Sequence, residues 1–176
     1  MKHKLSIYLA GGMESSSNLG AQWRTNLTPI LEELGLEVLN PVLFEPMQLK
    51  GLQPRKLPEF CTNADGKKIK VNHWHDLKHA TEPHLYARFL KYMRRIIKYD
   101  INIVRNEADY VICYWNETTA KGAGTHAELT EAFLSNKDVY CVMQANMPAW
   151  ARACCTRIFK TFDDLRGFLA QEFGEE

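Results

Sequence analysis

Short apolar runs alternate along this chain with stretches whose apolar residues recur every three or four positions. Leu5 to Ala10 (LSIYLA) is a run stopped by Gly11 and Gly12, the pattern of a buried strand entering a tight turn. From Gly20 to Leu34, the residues Trp23, Leu27, Ile30, Leu31 and Leu34 mark one face of a helix that Gly35 ends. Leu36 to Leu39 (LEVL), before Asn40 and Pro41, predicts a second strand. A helical pattern returns from Leu85 to Val104 and leads into Ala108 to Trp115 (ADYVICYW), a third strand. Thr125 to Leu134 predicts a further helix, and Asp138 to Met143 (DVYCVM) a fourth strand. Arg157 to Phe162 (RIFKTF) predicts a short edge strand, with Asp163 capping a last amphipathic helix through Leu165, Phe168, Leu169 and Phe173.

Strands separated by helices in this order predict an α/β fold: a doubly wound, five-stranded parallel sheet with right-handed crossovers. Residues from about 42 to 83 interrupt the rhythm with prolines and scattered basic residues. They read as an insertion after the second strand that carries short elements and serves as a lid or interface. At 176 residues the expectation is a single domain, 1–176, containing that insertion.

Composition narrows the picture. Lys plus Arg number 22 against 21 Asp plus Glu, so a net charge of +1 gives no global reason to expect a nucleic-acid polymer as partner, though a small anion remains open. There is no apolar run of membrane-spanning length, and the opening MKHKLSIYLAGG is too short for a signal peptide. A soluble cytoplasmic protein without membrane association is expected. The five cysteines, Cys61, Cys113, Cys141, Cys154 and Cys155, have no CxxC spacing and read as reduced, mostly buried thiols.

Three segments converge at the carboxyl ends of the strands, where open α/β sheets bind ligands. The first turn, GGMESSSNLG, offers Gly11 and Gly12 for close backbone approach and Ser15, Ser16 and Ser17 for hydrogen bonds to a phosphate or sugar hydroxyl. A flexible turn with a serine cap is the alternative. The second segment ends KYMRRIIKYD, where Asp100 beside apolar residues would be partly desolvated and suited to proton sharing with a leaving group. Pairing with Arg94, Arg95 or Lys98 is its alternative. In the third, Gly122, Gly124, Thr125 and His126 lead to Glu128 on the first turn of a helix. That carboxylate can attack an electrophilic carbon, bind a ribose hydroxyl or cap the helix. Glu131, three residues farther, lies too deep to reach the crevice, and Asp109 at a strand start reads as structural. Arg24 reads as an anion ligand or a helix-surface ion pair.

Within the insertion, His73, His75 and His79 have a spacing that invites a zinc ion if the segment is helical, because His75 and His79 would share a face beside Asp76. Polar surface, or base stacking with Trp74, are the alternatives, and no metal site is assigned.

IYLAGG near the amino end, Asp100 nine residues before the ADYVI strand, and GTHAE at Glu128 together resemble the nucleoside 2-deoxyribosyltransferase family and its nucleotide N-glycosidase relatives. The stretch MESSSNLGAQWR is similar to phage and bacterial branches of that superfamily. The resemblance covers Lys4 to about Tyr140 and the closing strand and helix, but not the insertion. It implies a flavodoxin-like fold, no cofactor, a homo-oligomer and a small-molecule nucleoside or nucleotide partner. It also implies cleavage or exchange of the N-glycosidic bond of a 2′-deoxynucleoside or its 5′-monophosphate. Glu128 would be the nucleophile, Tyr8 would hold that carboxylate through its hydroxyl, and Asp100 would assist the departing base. Gly122 stands where the family commonly has Asp or Ser against the base or phosphate. His126 replaces a small or apolar residue and either contacts the ligand or faces solvent. These two departures motivate the other reading, a catalytically weak nucleotide-binding or sensing module. An acidic tail at Glu175 and Glu176 would reach a neighbouring subunit.

Overall fold

The computed structural model describes residues 4–13, 20–48 and 57–174, the side chains of 45–48 excepted. The chain forms two compact units, Met1–Phe44 with Asp100–Glu176, and Glu45–Tyr99.

In the first unit, β1 (Ser6–Gly11), α1 (Ala21–Glu33) and β2 (Glu37–Leu39) open the chain. After the second unit come β5 (Tyr110–Trp115), α4 (Gly124–Leu134), β6 (Asp138–Met143), α5 (Ala149–Ala153), β7 (Arg157–Phe159) and α6 (Phe162–Phe173). The five strands lie in the order β2-β1-β5-β6-β7, and every pairing is parallel. This is the expected five-stranded α/β sheet. Side chains alternate across it. On one face Ile7, Leu9, Ile112, Tyr140 and Val142 pack with Leu27 and Leu31 of α1 and Leu165 and Leu169 of α6. Residues of the opposite parity, Tyr8, Ala10, Val111, Cys113, Val139 and Cys141, are buried on the other face, against which α4 packs. Burying one such Leu or Ile side chain contributes about 1.5–3 kcal/mol, so both covering layers matter.

Asp109, read as structural, ties the starts of β1 and β5: its Oδ2 accepts the Ser6 N–H at 2.8 Å and the Ser6 hydroxyl at 3.1 Å. The end of the chain departs from the sequence reading. β7 stops at Phe159, and Thr161 rather than Asp163 caps α6. The Thr161 hydroxyl accepts the Asp164 N–H while the Asp164 carboxylate accepts the Thr161 N–H, a reciprocal capping box that pulls Phe162 into the helix.

The second unit contains a β3 (Phe60–Thr62) and β4 (Lys68–Lys70) hairpin, a 3₁₀ turn over Trp74–His79 and most of α3 (Pro83–Asn106), while α2 (Pro41–Gln48) enters it from the first unit. Its core joins Cys61, Val71, Leu77, Ala80 and Leu85, with Leu57, Ile69 and Phe89 against them, and a neighbouring cluster pairs Trp74 with Tyr92. The all-cysteine reading agrees with the structure: all five are free thiols and four are buried. No helix among the described residues is long and apolar enough to cross a membrane.

Candidate active site

Tyr8 sits in the middle of β1 with no exposed surface, and its hydroxyl donates to Glu128 Oε1 at 2.7 Å. The strand therefore aims one side chain across 120 residues of sequence onto α4. Because α4 begins at Gly124, Glu128 opens its second turn, one turn later than the sequence suggested. It lies too deep in the helix to act as a cap. Burial raises the Glu128 carboxyl above the ordinary carboxylate range, and the Tyr8 hydrogen bond and the Arg24 charge oppose that rise. The Tyr8 phenol is itself held well above its usual range by burial and then by Glu128 and Asp100, so it is a neutral donor.

Arg24 corrects the sequence reading outright. It is fully buried rather than on the helix surface, and it faces backbone carbonyls. Its Nε donates to the Leu9 carbonyl at 3.1 Å, Nη1 to Gly20 at 2.9 Å and Nη2 to Gly11 at 3.0 Å. Burial lowers the guanidinium below its usual range, with Glu128 the largest opposing influence and Tyr8, Cys113 and Asp100 after it. The group still carries its charge, so a cation is fixed beside the Tyr8–Glu128 pair. The signal was in the sequence: Arg24, Leu27 and Leu31 form one stripe at helical spacing, and all three are buried.

The two glycine-containing turns lock onto each other. The Gly12 N–H donates to Thr119 Oγ1 at 2.9 Å, and the Thr119 hydroxyl donates to the Tyr114 carbonyl at 2.9 Å. Asn116 Oδ1 accepts the Thr118 and Thr119 N–H groups at 3.1 and 3.0 Å, which fixes the loop after β5. Neither Thr119 nor Asn116 was singled out in the sequence. A Cβ on Gly12 would lie 2.7 Å from the Thr119 nitrogen, so the close approach that glycine permits here is to the protein's own loop. Gly20, at φ 68°, would place a Cβ 2.5 Å from the Gly12 carbonyl oxygen. Gly20→Ala should destabilise the fold by about 1–2 kcal/mol from the left-handed conformation alone, with the clash adding to that. Urea titration measures it, and an unchanged midpoint would refute the strained geometry.

Asp100, half-buried on α3, acts electrostatically on both Tyr8 and Arg24. Thr125 is buried, Gly122 follows the 3₁₀ turn Thr119–Lys121, and Gly124 is the first residue of α4. His126 is half-buried and meets the Trp115 ring edge-on at 4.8 Å. Ser15, Ser16 and Ser17 lie outside the described residues, as do Glu14, Glu175 and Glu176.

Glu131 faces elsewhere. Its two carboxylate oxygens accept Arg105 Nε at 2.6 Å and Nη2 at 2.9 Å, and Ser135 donates to Oε1 at 3.0 Å. The Arg105 hydrogen bonds lower its carboxyl below the usual range. A depressed folded-state pKa adds stability above the unfolded carboxyl value and loses it as pH falls through the folded one. Glu131→Gln should therefore lower the melting temperature slightly at pH 7, Arg105 being 58% exposed, and differ less from the parent at an acid pH below the ordinary carboxylate range. An equal difference at both pH values would contradict the ion pair.

In the second unit, the 3₁₀ geometry of Trp74–His79 sets His75 and His79 about 120° apart instead of on one face. His73 accepts the His75 N–H as a cap, and its ring lies 4.9 Å from that of His75. Among the described residues no group of three or more His, Cys, Asp or Glu side chains is placed to hold a metal ion.

No protein-family model matches the chain, and no curated protein matches its sequence. Among solved structures, a 2-deoxyribosyltransferase from Bacillus psychrosaccharolyticus is similar over 93% of this chain and 95% of its own, at 15% identity and a TM-score of 0.47. A CMP N-glycosidase from Clostridium botulinum is similar over 94% of this chain and 98% of its own, at 14% identity and a TM-score of 0.44.

Proposed function

We propose that this chain cleaves or exchanges the N-glycosidic bond of a 2′-deoxynucleoside or its 5′-monophosphate through a glycosyl ester of Glu128. The observation that carries the reading is the 2.7 Å hydrogen bond from a fully buried tyrosine in the middle of β1 to a carboxylate on α4. A helix does not need that bond for its own stability, whereas a nucleophile needs its inactive oxygen held and its reactive oxygen aimed. Glu128 attacks the anomeric carbon as the carbon–nitrogen bond breaks, the bonding electrons pass to the base nitrogen, and Asp100 supplies the proton the base takes away. Water or a second base, deprotonated by Asp100, then attacks the same carbon and frees Glu128. Two displacements give net retention.

Tyr8 serves as a positioning residue. Gly11, Ser15, Ser16 and Ser17 in the first turn, with Gly122, Gly124, Thr125 and His126 in the third, are the proposed substrate contacts. A single domain acting as a homo-oligomer in the cytoplasm completes the proposal.

Chromatography of reactions with deoxynucleosides and deoxynucleoside monophosphates, with and without free adenine or cytosine, tests it. Base release without acceptor denotes hydrolysis, and a new nucleoside denotes transfer. Intact mass after acid quenching should show the protein heavier by one glycosyl group. Nucleotide-dependent thermal stabilisation with no released base would replace the enzyme by the binding module.

A further inference from the structure

The near-neutral total charge conceals a sharp division. Of 22 Lys and Arg, 12 lie between 45 and 99, together with only 5 of the 21 Asp and Glu. That stretch is the second unit. Within it α3 has no acidic residue between Glu82 and Asp100, whereas His84, Arg88, Lys91, Arg94, Arg95 and Lys98 recur there. At the α-helical turn angle these six fall in an arc of about 120°, along about 21 Å of helix. Ala87 is the sole other residue of 84–98 in that arc.

We infer that this stripe docks the phosphate backbone of a nucleic acid, independently of the proposed chemistry in the first unit. Lys91, Arg94, Arg95 and Lys98 are exposed, and none of them, nor Arg88, forms an ion pair with a described residue. Arg88 is half-buried, and its Nε and Nη2 are buried with no hydrogen-bond partner among the described residues, so the exposed line of cations is carried by the other four. Two of the unit's acids are engaged locally instead: Glu82 accepts the Thr62 N–H, and Asp76 accepts those of Asn72 and His73. Like charges three and four residues apart repel on a helix, so the stripe is a cost to folding that a bound polyanion removes.

The opposite arc decides among partners. Leu85, Phe89, Tyr92, Met93 and Ile96 are packed into the unit's own clusters. Most of its apolar face is used for folding, and the exposed Tyr86 and Ile97 lie outside the basic arc, so no apolar anchor accompanies the charges as a membrane-interface helix requires. The helix also lacks the buried anchor that an acidic protein partner would require. A phosphate backbone requires only a line of cations, and the exposed Arg94 and Arg95 offer forked donors to its oxygens. The exposed hairpin residues Lys67, Lys68 and Lys70 add to the same unit's potential.

Fluorescence anisotropy of the full-length protein with a mixed-sequence strand of about 20 nucleotides, and with its duplex, tests the inference. Four neutralised phosphates give a slope of log affinity against log salt of about −3 for the strand and about −4 for the duplex. Lys91→Glu/Arg95→Glu/Lys98→Glu should weaken binding at least about tenfold, whereas Lys137→Glu/Arg152→Glu/Lys160→Glu in the first unit should not. Should the charge-reversed variant fail to fold, the Gln triple at the same positions should flatten the salt slope by about two to three. Any of four results overturns the inference: no binding to either oligonucleotide at 50 mM salt, unchanged binding by a folded stripe variant, binding to phosphatidylserine vesicles alone, or salt-reversible self-association without oligonucleotide binding.

Discussion

Glu128→Gln should reduce base release by about 10³-fold or more while leaving the circular dichroism spectrum and the nucleotide-binding signal in place. Gln keeps an oxygen for the Tyr8 hydroxyl, so the site keeps its shape, but the amide cannot form the glycosyl ester. The mass adduct should vanish with the activity. If the substituted protein still releases base at near the parental rate, Glu128 is not the nucleophile.

The pH profile adds an independent check on the same group. Attack needs the ionised carboxylate, and burial raises the pKa of Glu128. The acid limb of kcat/KM should accordingly lie above the ordinary glutamate value of about 4.3. Tyr8→Phe removes a hydrogen bond that favours the charged form, so it should move that limb farther up and lower the neutral-pH rate by about 10- to 100-fold. A limb that stays put in Tyr8→Phe would show that the 2.7 Å contact does not tune the carboxylate.

Three strands of the parallel sheet were the most legible because each is an apolar run closed by a strong stop: Gly11 and Gly12 after β1, Asn40 and Pro41 after β2, Asn116 after β5. The end of β7 was not, since apolar character continues to Phe162 and only the Thr161 and Asp164 pair marks the helix start. In the second unit β3 and β4 are three residues each, too short for alternation to register. The Asp65-Gly66 pair between them was nonetheless a usable hairpin signal. His73 and Asp76 cap a 3₁₀ turn, which spacing counted on an α-helix misreads.

At the site, the closeness of Tyr8 and Glu128 is a product of topology, which the family resemblance anticipated and local spacing could not supply. No local pattern marks Thr119 and Asn116, because their side chains serve backbone N–H groups that the fold brings to them. The unit-by-unit charge balance is hidden for a related reason, since a sum over the whole chain erases where the charges lie.

Arg24 carries the second large expectation. Arg24→Met should cost about 3–5 kcal/mol, the range for breaking a buried charged network, because the carbonyls of Leu9, Gly11 and Gly20 lose donors where β1 turns toward α1. It should also raise the acid limb, because the Arg24 cation lowers the Glu128 pKa against the effect of burial. A purely structural arginine would produce the first effect without the second. Arg24→Lys separates them: the ammonium restores much of the charge and the limb, while the lost fork leaves the stability deficit largely in place. The pair should also be non-additive, with Arg24→Met costing less stability in the Glu128→Gln background than in the parent, since the carboxylate it would strand is already gone. Equal costs in the two backgrounds, with an unmoved acid limb, would reduce Arg24 to a brace for the turn and leave Tyr8 alone to hold the charged carboxylate.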